Sequence, residues 1–175
     1  AAIQPARQNK IPFLGICYGM QMAIIEFARN KLNLKRATSS EFDKKGLAII
    51  GLMNEWNKDG KKIIGTDKNL GGTMRLGSYD AKLMKNSMIQ KIYGKNLIKE
   101  RHRHRYEVNI AFKEKFEKNG MNFSGLSPDG KLPEIIELKN HPWFIGVQFH
   151  PEFKSRPLAP HPLFSSFIKA SKNHK

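Results

Sequence analysis

The chain contains 175 residues, of which 39% are hydrophobic and 26% charged, and its net charge is +16. This length and balance predict one globular domain with a full core and exclude a disordered chain. No apolar run approaches the ~18 residues of a membrane-spanning helix, and no secretory leader opens the sequence. Cys17 is the only cysteine, which excludes disulfide frameworks and multi-cysteine metal sites and favours a reducing, cytoplasmic compartment.

The positive charge, from 31 basic and 15 acidic residues, would attract a polyanion. The lysines are scattered along the chain, as on solvated faces, and no recognisable nucleic-acid-binding module accompanies them. Nucleic acid is therefore not expected as a partner. An acidic partner domain, or a phosphate-rich ligand at its interface, explains the charge equally well.

The predicted elements begin with a strand and a helix and end with a group of strands. A buried strand over residues 11–17 gives way at Tyr18 to apolar residues at helical spacing as far as Lys31. Residues 51–72 are rich in Gly, Lys, Asn and Asp and predict a long loop or hairpin. The last third contains strands at 121–125, 133–138 and 143–149, a turn at 127–130 and a helix beginning at Pro162. This order predicts an α/β domain.

Cys17 lies where the first strand turns into the first helix, between Gly15 and Gly19. A nucleophile on such a tight turn is held in a strained backbone, and side chains beside it would clash. The helix N-terminus also favours a thiolate. The pattern favours a catalytic thiol over a buried structural cysteine. Gln21, one helical turn further on, is either a substrate-binding amide or an ordinary solvated glutamine.

His150 and Glu152 follow the last predicted strand, separated by a proline. A thiol nucleophile needs a base that takes its proton and later protonates the leaving group. That base needs a third group to orient it, and Glu152 is placed to do so. Any one of the six histidines could be a surface residue, but a cysteine and a His-x-Glu pair at two strand ends is a narrower coincidence.

The tract at residues 100–106 carries three arginines and two histidines. It is open to three interpretations: a nucleic-acid patch, a metal pair at His102 and His104, or recognition of a carboxylate by arginine. Two histidines without a third ligand are weak support for zinc, so no metal is expected. Glu41 could contact an ammonium group, or it could simply be exposed. Anionic and cationic anchors together would suit an amino acid substrate.

Two segments, PFLGICYGMQ at residues 12–21 and QFHPE at 148–152, resemble the class I (triad) glutamine amidotransferase family. Three further segments resemble the glutaminase domains of its CTP synthase branch: GGTMRLG at 71–77, ERHRHRYEVN at 100–109 and HPEFKSRP at 150–157. SGLSPDG at 124–130 and EIIE at 134–137 fit the same domain. The resemblance extends to about residue 160. It implies a flavodoxin-like domain with a central, mostly parallel sheet flanked by helices and extra late strands.

The resemblance also implies roles for individual residues. Cys17 would be the nucleophile, His150 the acid and base, and Glu152 its orienting carboxylate. The backbone amide of Tyr18 would be one oxyanion donor, although the family more often has Leu there. The expected glutamine-binding positions are Gly15, Tyr18, Gln21, Glu41, Arg105 and Tyr106. Arg75 resembles a position of the GTP effector site.

By the same resemblance, the domain hydrolyses L-glutamine through a cysteinyl thioester and supplies ammonia for the amination of UTP. It would need no cofactor or metal of its own. ATP and Mg²⁺ would act in an N-terminal synthase domain, GTP would be an allosteric effector, and the full-length enzyme would be a cytoplasmic homotetramer.

In this family a glycine-rich segment upstream of the cysteine supplies the second oxyanion amide. Only sixteen residues precede Cys17, so a truncated N-terminus is expected and residues 1–175 are expected to form a single glutaminase domain. The alternatives are the glutaminase domain of another class I amidotransferase and a catalytically silent regulatory domain. A basic nucleic-acid binder is a third.

Overall fold

The computed structural model describes residues 2–52 and 74–174, and the backbone of two short strands between them. A six-stranded sheet has the order β1, β11, β10, β9, β6, β7. Its strands are β1 (Phe13–Ile16), β6 (Arg75–Leu83), β7 (Leu97–His104), β9 (Met121–Leu126), β10 (Pro133–Leu138) and β11 (Phe144–Val147). A second sheet has the order β2 (Ala37–Ser39), β3 (Leu47–Leu52) and β8 (Tyr106–Val108). The hairpin β4 (Glu55–Lys58) and β5 (Lys61–Ile64) stands by itself.

The helices are α1 (Ile3–Gln8), α2 (Tyr18–Asn30), α3 (Met88–Tyr93), α4 (Lys113–Lys118) and α5 (Pro162–Lys172). They cover the large sheet on both faces. Met20 and Ile24 of α2 pack with Ile136 in one buried cluster, whereas Leu163 of α5 packs with Ile135 in the other. Ile135 and Ile136 are consecutive in β10, so the period of the strand sends one side chain to each layer. The result is a helix–sheet–helix sandwich, and the α/β fold class is confirmed.

The expectation of a mostly parallel sheet differs from the pairing in the described strands. Only β1 and β11 are parallel in the large sheet, and its other four strand pairs are antiparallel. For two of these antiparallel pairs the reason is the length of the connections. Short turns join β9 to β10 and β10 to β11, and such turns can only join antiparallel neighbours, whereas a parallel pair needs a long crossover.

Most of the predicted elements are confirmed to within a few residues. The first strand, the first helix, the three late strands and the closing helix all lie where the pattern placed them. The turn at 127–130 is closed by a hydrogen bond from the Gly130 amide to the Ser127 carbonyl, at 2.8 Å. The predicted loop or hairpin at 51–72 includes the β4–β5 hairpin, while residues 53–54, 59–60 and 65–72 lie outside the described part.

Candidate active site

Cys17 occupies a sharp turn between β1 and α2. Its backbone has φ 49° and ψ −101°, in the left-handed half of φ space that residues other than glycine rarely adopt. Its amide donates to the Val147 carbonyl at 2.7 Å, so the turn is tied to the end of the parallel partner strand β11. Strain held in place by surrounding structure is typical of functional sites, and this turn presents the thiol at the end of the sheet.

The two glycines beside Cys17 have different roles. A Cβ atom at Gly15 would lie 2.8 Å from the carbonyl carbon of Gly19 and 2.9 Å from the amide nitrogen of Met20. Backbone atoms cannot move aside as a flexible side chain can, so Gly15 is required where β1 packs against the start of α2. A Cβ atom at Gly19 would meet nothing within 4 Å. The predicted clash is therefore found at Gly15 and not at Gly19.

Burial dominates the ionisation of the thiol and raises the pKa of Cys17 to about 11. The Tyr18 backbone amide and the Gln148 side chain act in the opposite direction, while the charges of Glu107 and Glu152 raise the pKa further. The expected bias of the helix N-terminus towards thiolate is outweighed. At neutral pH the thiol is protonated, so a nucleophilic reaction needs a base to remove its proton.

His150 and Glu152 have the geometry of such a base and its orienting group. Nδ1 of His150 lies 2.6 Å from Oε1 of Glu152, and Pro151 begins the 3₁₀ turn Pro151–Lys154 that carries the carboxylate. A carboxylate accepts, so Nδ1 bears the hydrogen of this contact, and in the neutral form of the ring Nε2 has the lone pair. Nε2 is buried and has no hydrogen-bond partner among the described residues. It is therefore available as an acceptor.

Two further contacts hold His150, one at its backbone and one at its ring. The backbone amide of His150 donates to the Arg101 carbonyl of β7 at 2.8 Å. The ring stacks on Phe153, with 5.1 Å between centroids. These contacts fix the position and tilt of the base.

The pairing of β1 with β11 brings Cys17 and His150 to the same end of the sheet. Ile16 is opposite Val147 in the parallel register, so Cys17 and Gln148 both emerge at that end. Nε2 of Gln148 lies 3.6 Å from Cys17 Sγ, and His150 is two residues further on. The sequence interpretation gave Gln148 no role, although the residue stands in the QFHPE segment itself.

Two of the predicted glutamine-binding residues lie beside the elbow. The Tyr18 ring meets the Phe42 ring edge-on at 6.0 Å, and both rings are about half exposed. Glu41 precedes Phe42 and is exposed, and its amide donates to the Ser39 hydroxyl at 3.2 Å. The segment that carries Glu41 therefore borders the start of α2.

Gln21 and Tyr106 lie on the inner side of the elbow, and Arg105 precedes Tyr106 in the chain. Gln21 is buried, and its Nε2 donates to the Tyr106 carbonyl at 3.0 Å and to Gln148 Oε1 at 3.3 Å. Arg105 and Tyr106 are half-buried. The structure thus places the Gln21 amide group in internal contacts rather than in solvent.

Arg75, the residue that resembles an effector-site position, is buried in this structure. It is 6% exposed, and its guanidinium lies 2.6 Å from Glu134 and 3.4 Å from Glu107. The arginine is therefore held between two buried carboxyl groups, and its role as an effector contact stays a prediction. Residues 71–73 of the same segment lie outside the described part.

The histidines of the basic tract belong to the same buried group. His102 Nδ1 lies 2.9 Å from His104 Nε2, and His102 Nε2 lies 3.5 Å from Glu134 Oε2. Burial lowers the pKa of His102 and also lowers the pKa of His104, to about 3, with the Arg75 charge acting in the same direction. Both rings are therefore neutral at physiological pH. In the part of the chain that is described, no group of three or more His, Cys, Asp or Glu side chains is arranged to hold a metal ion.

The family of the chain follows from a match over nearly its whole length. The family model "Glutamine amidotransferase class-I" matches residues 1–170, and the chain belongs to this family. It is 87% identical over 174 residues to a CTP synthase of Pelagibacter ubique and 59% identical over 172 residues to one of Zymomonas mobilis. These alignments cover 99% and 98% of this chain and 32% of each relative. The chain thus spans about a third of the length of these relatives.

The fold agrees with these similarities. It resembles the glutaminase domain of a Trypanosoma brucei CTPS with bound acivicin, with a TM-score of 0.86 and 37% identity. That match covers 99% of this chain and 65% of the other. A Thermoplasma acidophilum protein described as a GMP synthase component shares the fold alone, at a TM-score of 0.54 and 16% identity. Separately, none of the helices among the described residues is long and apolar enough to span a membrane.

Proposed function

We propose that this chain is the glutaminase part of a CTP synthase and hydrolyses L-glutamine to glutamate and ammonia. The observation that supports this most is that Cys17 and the His150–Glu152 pair lie at the same end of the sheet. The strained Cys17 elbow follows β1 there, and the paired His150 and Glu152 follow the adjacent strand β11. The similarity to CTP synthases over the whole chain favours this branch over other class I amidotransferases.

The reaction begins with proton transfer from the Cys17 thiol to Nε2 of His150. The sulfur attacks the side-chain amide carbon of glutamine, and the Tyr18 backbone amide donates to the oxyanion that forms. The imidazolium, stabilised through Nδ1 by Glu152, returns its proton to the departing nitrogen. Ammonia leaves and a γ-glutamyl thioester remains. Water, deprotonated by His150, then releases glutamate and restores the thiol.

The substrate itself would be held by groups around the elbow. Glu41 is exposed and borders α2, which suits it to the ammonium group of glutamine. Arg105 and Tyr106 would complete the pocket on the other side, with Gly15, Tyr18 and Gln21 supporting the elbow. These contacts exist in the ground state and in the transition state, so they set binding rather than turnover.

The Glu41 assignment predicts a change in KM. Glu41→Ala should raise the KM for glutamine about tenfold or more and change kcat by less, because a hydrogen bond to a charged group contributes about 1.5–3 kcal/mol. Steady-state glutamine hydrolysis measures both constants. Asp43→Ala removes an exposed carboxylate two residues away and serves as the matched control. A fall in kcat at constant KM would remove Glu41 from the binding role.

Ammonia would pass to the synthase part that the relatives carry in their remaining two thirds. There UTP would be aminated to CTP with ATP and Mg²⁺, with GTP as an effector, in a cytoplasmic homotetramer. The chain's net charge of +16 would suit an acidic surface on that partner domain.

Cys17→Ala in the full-length enzyme tests the function directly. Glutamine-dependent CTP formation should disappear while synthesis from added ammonia survives, because the two reactions use different sites. The ammonia reaction is thus the internal control for folding. A glutamine-analogue chloroketone should leave one adduct, on Cys17, by peptide mass spectrometry. Retention of the glutamine-dependent rate by Cys17→Ala would refute the proposal.

A further inference from the structure

Gln148 is buried directly against the sulfur of Cys17. Its side chain is 0% exposed, and its backbone amide donates to the Glu134 carbonyl at 2.8 Å, which fixes the residue at the end of β11. Its two side-chain atoms face different partners. Nε2 lies 3.6 Å from Cys17 Sγ, and Oε1 lies 3.3 Å from Gln21 Nε2.

The orientation of the two amides is determined by a backbone carbonyl. The Tyr106 oxygen can only accept, so Gln21 must present its NH₂ group to it, at 3.0 Å. His104 Nδ1, at 3.2 Å, adds a second donor to the same oxygen. The other hydrogen of the Gln21 amide then requires an acceptor on Gln148. The NH₂ group of Gln148 is thereby directed at the sulfur, and flipping both amides would set two oxygens against each other.

We propose that Gln148 is a further catalytic residue, whose side-chain N–H donates to Cys17 Sγ and stabilises the thiolate when His150 takes its proton. The assignment rests on the proposed function. A donor at this position stabilises the thiolate, which burial of the sulfur disfavours. The donor is part of a chain of hydrogen bonds from Tyr106 through Gln21, so it is in place before the proton moves.

The test measures the reactivity of Cys17 without any turnover. Iodoacetamide alkylation of Cys17 in the full-length enzyme is followed by peptide mass spectrometry between pH 6 and 10. Gln148→Met keeps the length of the side chain and removes the donor. The rate at a fixed pH should fall by about 10- to 100-fold, the usual effect of a hydrogen bond to a charged group, and the pH profile should move upward. Gln90→Met, on the surface of α3, is the control and should react like the wild type.

Gln148→Glu provides a second variant if the methionine variant does not fold. It keeps an acceptor for Gln21 and turns an oxygen towards the sulfur, so alkylation should slow wherever that carboxyl is ionised. A folded Gln148→Met variant that is alkylated at the wild-type rate across the pH range would overturn the proposal. So would a folded Gln148→Glu variant that is alkylated at the wild-type rate where its carboxyl is ionised, because a protonated carboxyl could still donate to the sulfur. That result is independent of the glutaminase assignment, which fails instead if Cys17→Ala keeps glutamine-dependent synthesis.

Discussion

His102 and His104 on β7, and His150 and Glu152 after β11, are both pairs of titratable residues two positions apart. The first pair is 2% and 7% exposed and lies among buried charges. In the second pair the side chains are 19% and 45% exposed, and one imidazole nitrogen is left without a partner among the described residues. The two pairs thus share a spacing and differ in burial and in whether a ring nitrogen is left unpaired.

The backbone explains the difference. Along a strand, residues two positions apart share one face, so His102 and His104 both point into the protein and bond to each other. After β11 the chain leaves the sheet at His150 and enters a 3₁₀ turn at Pro151, which folds Glu152 back onto the ring. The spacing alone therefore identifies a pair, and the local backbone decides whether the pair is structural or reactive.

Glu152→Gln should have the largest effect and would sharpen this contrast. The amide can hold the imidazole in the wrong tautomer and cannot stabilise the imidazolium, and a comparable change in a serine protease triad costs about 10⁴-fold in kcat. Glu152 is partly exposed, so the melting temperature should change little. Glutamate release and a thermal melt on the same preparation measure both. A near-normal kcat would contradict the orienting role.

Glu134→Gln should show the opposite pattern and affect stability. Its carboxylate faces Arg75 at 2.6 Å in the core, and the substitution leaves Arg75 with Glu107 alone, at 3.4 Å. Breaking a buried ion pair costs about 3–5 kcal/mol when the remaining charge has no other partner, so the loss should be large but at or below that range. Urea unfolding measures the loss. Activity per folded molecule should fall far less than in Glu152→Gln. The exposed pair Lys118 and Glu114 offers the control Glu114→Gln, which should change stability by no more than about 1 kcal/mol.

The sequence points to His150 and Glu152 more clearly than to His102 and His104, for a physical reason. Cys17, His150 and Glu152 stand within two residues of Gly or Pro after strand ends, where a change of period marks the elbow and the turn. The strand β7 has a buried face made of Ile98, Glu100, His102 and His104. Three of these four are polar, so no alternation of apolar residues indicates the strand. Arg75 on β6 is likewise a charged residue whose burial the sequence pattern does not indicate.

The sheet pairing and the role of Gln148 also depend on tertiary contacts. The parallel neighbours β1 and β11 are more than a hundred residues apart in sequence, and the local pattern does not specify which strands become neighbours. The donor at Gln148 is recognisable only once the Tyr106 carbonyl is placed opposite Gln21. The expected bias of Cys17 towards thiolate differs from the raised pKa for a related reason, because the elbow motif does not show how deeply the sulfur is buried.

His104→Gln gives the smallest predicted effect and tests whether the buried pair is neutral. The pKa of His104 is lowered to about 3 by burial, below the ordinary value of 6.5, so the unfolded chain takes up a proton that the folded chain does not. This difference in proton uptake favours unfolding as the pH falls below 6.5, by up to about 1.4 kcal/mol per pH unit for one histidine. A glutamine supplies one donor and one acceptor but does not titrate. The variant should therefore lose less stability than the wild type between pH 6.5 and 4.5, whatever its stability at pH 7.5, and urea unfolding at each pH measures the two slopes.

His174→Gln, at an exposed position, is the matched control and should follow the wild type. Parallel profiles for His104→Gln and the wild type would show that His104 is already an imidazolium in the folded state. It would then be a charged partner of Glu107, 3.6 Å away.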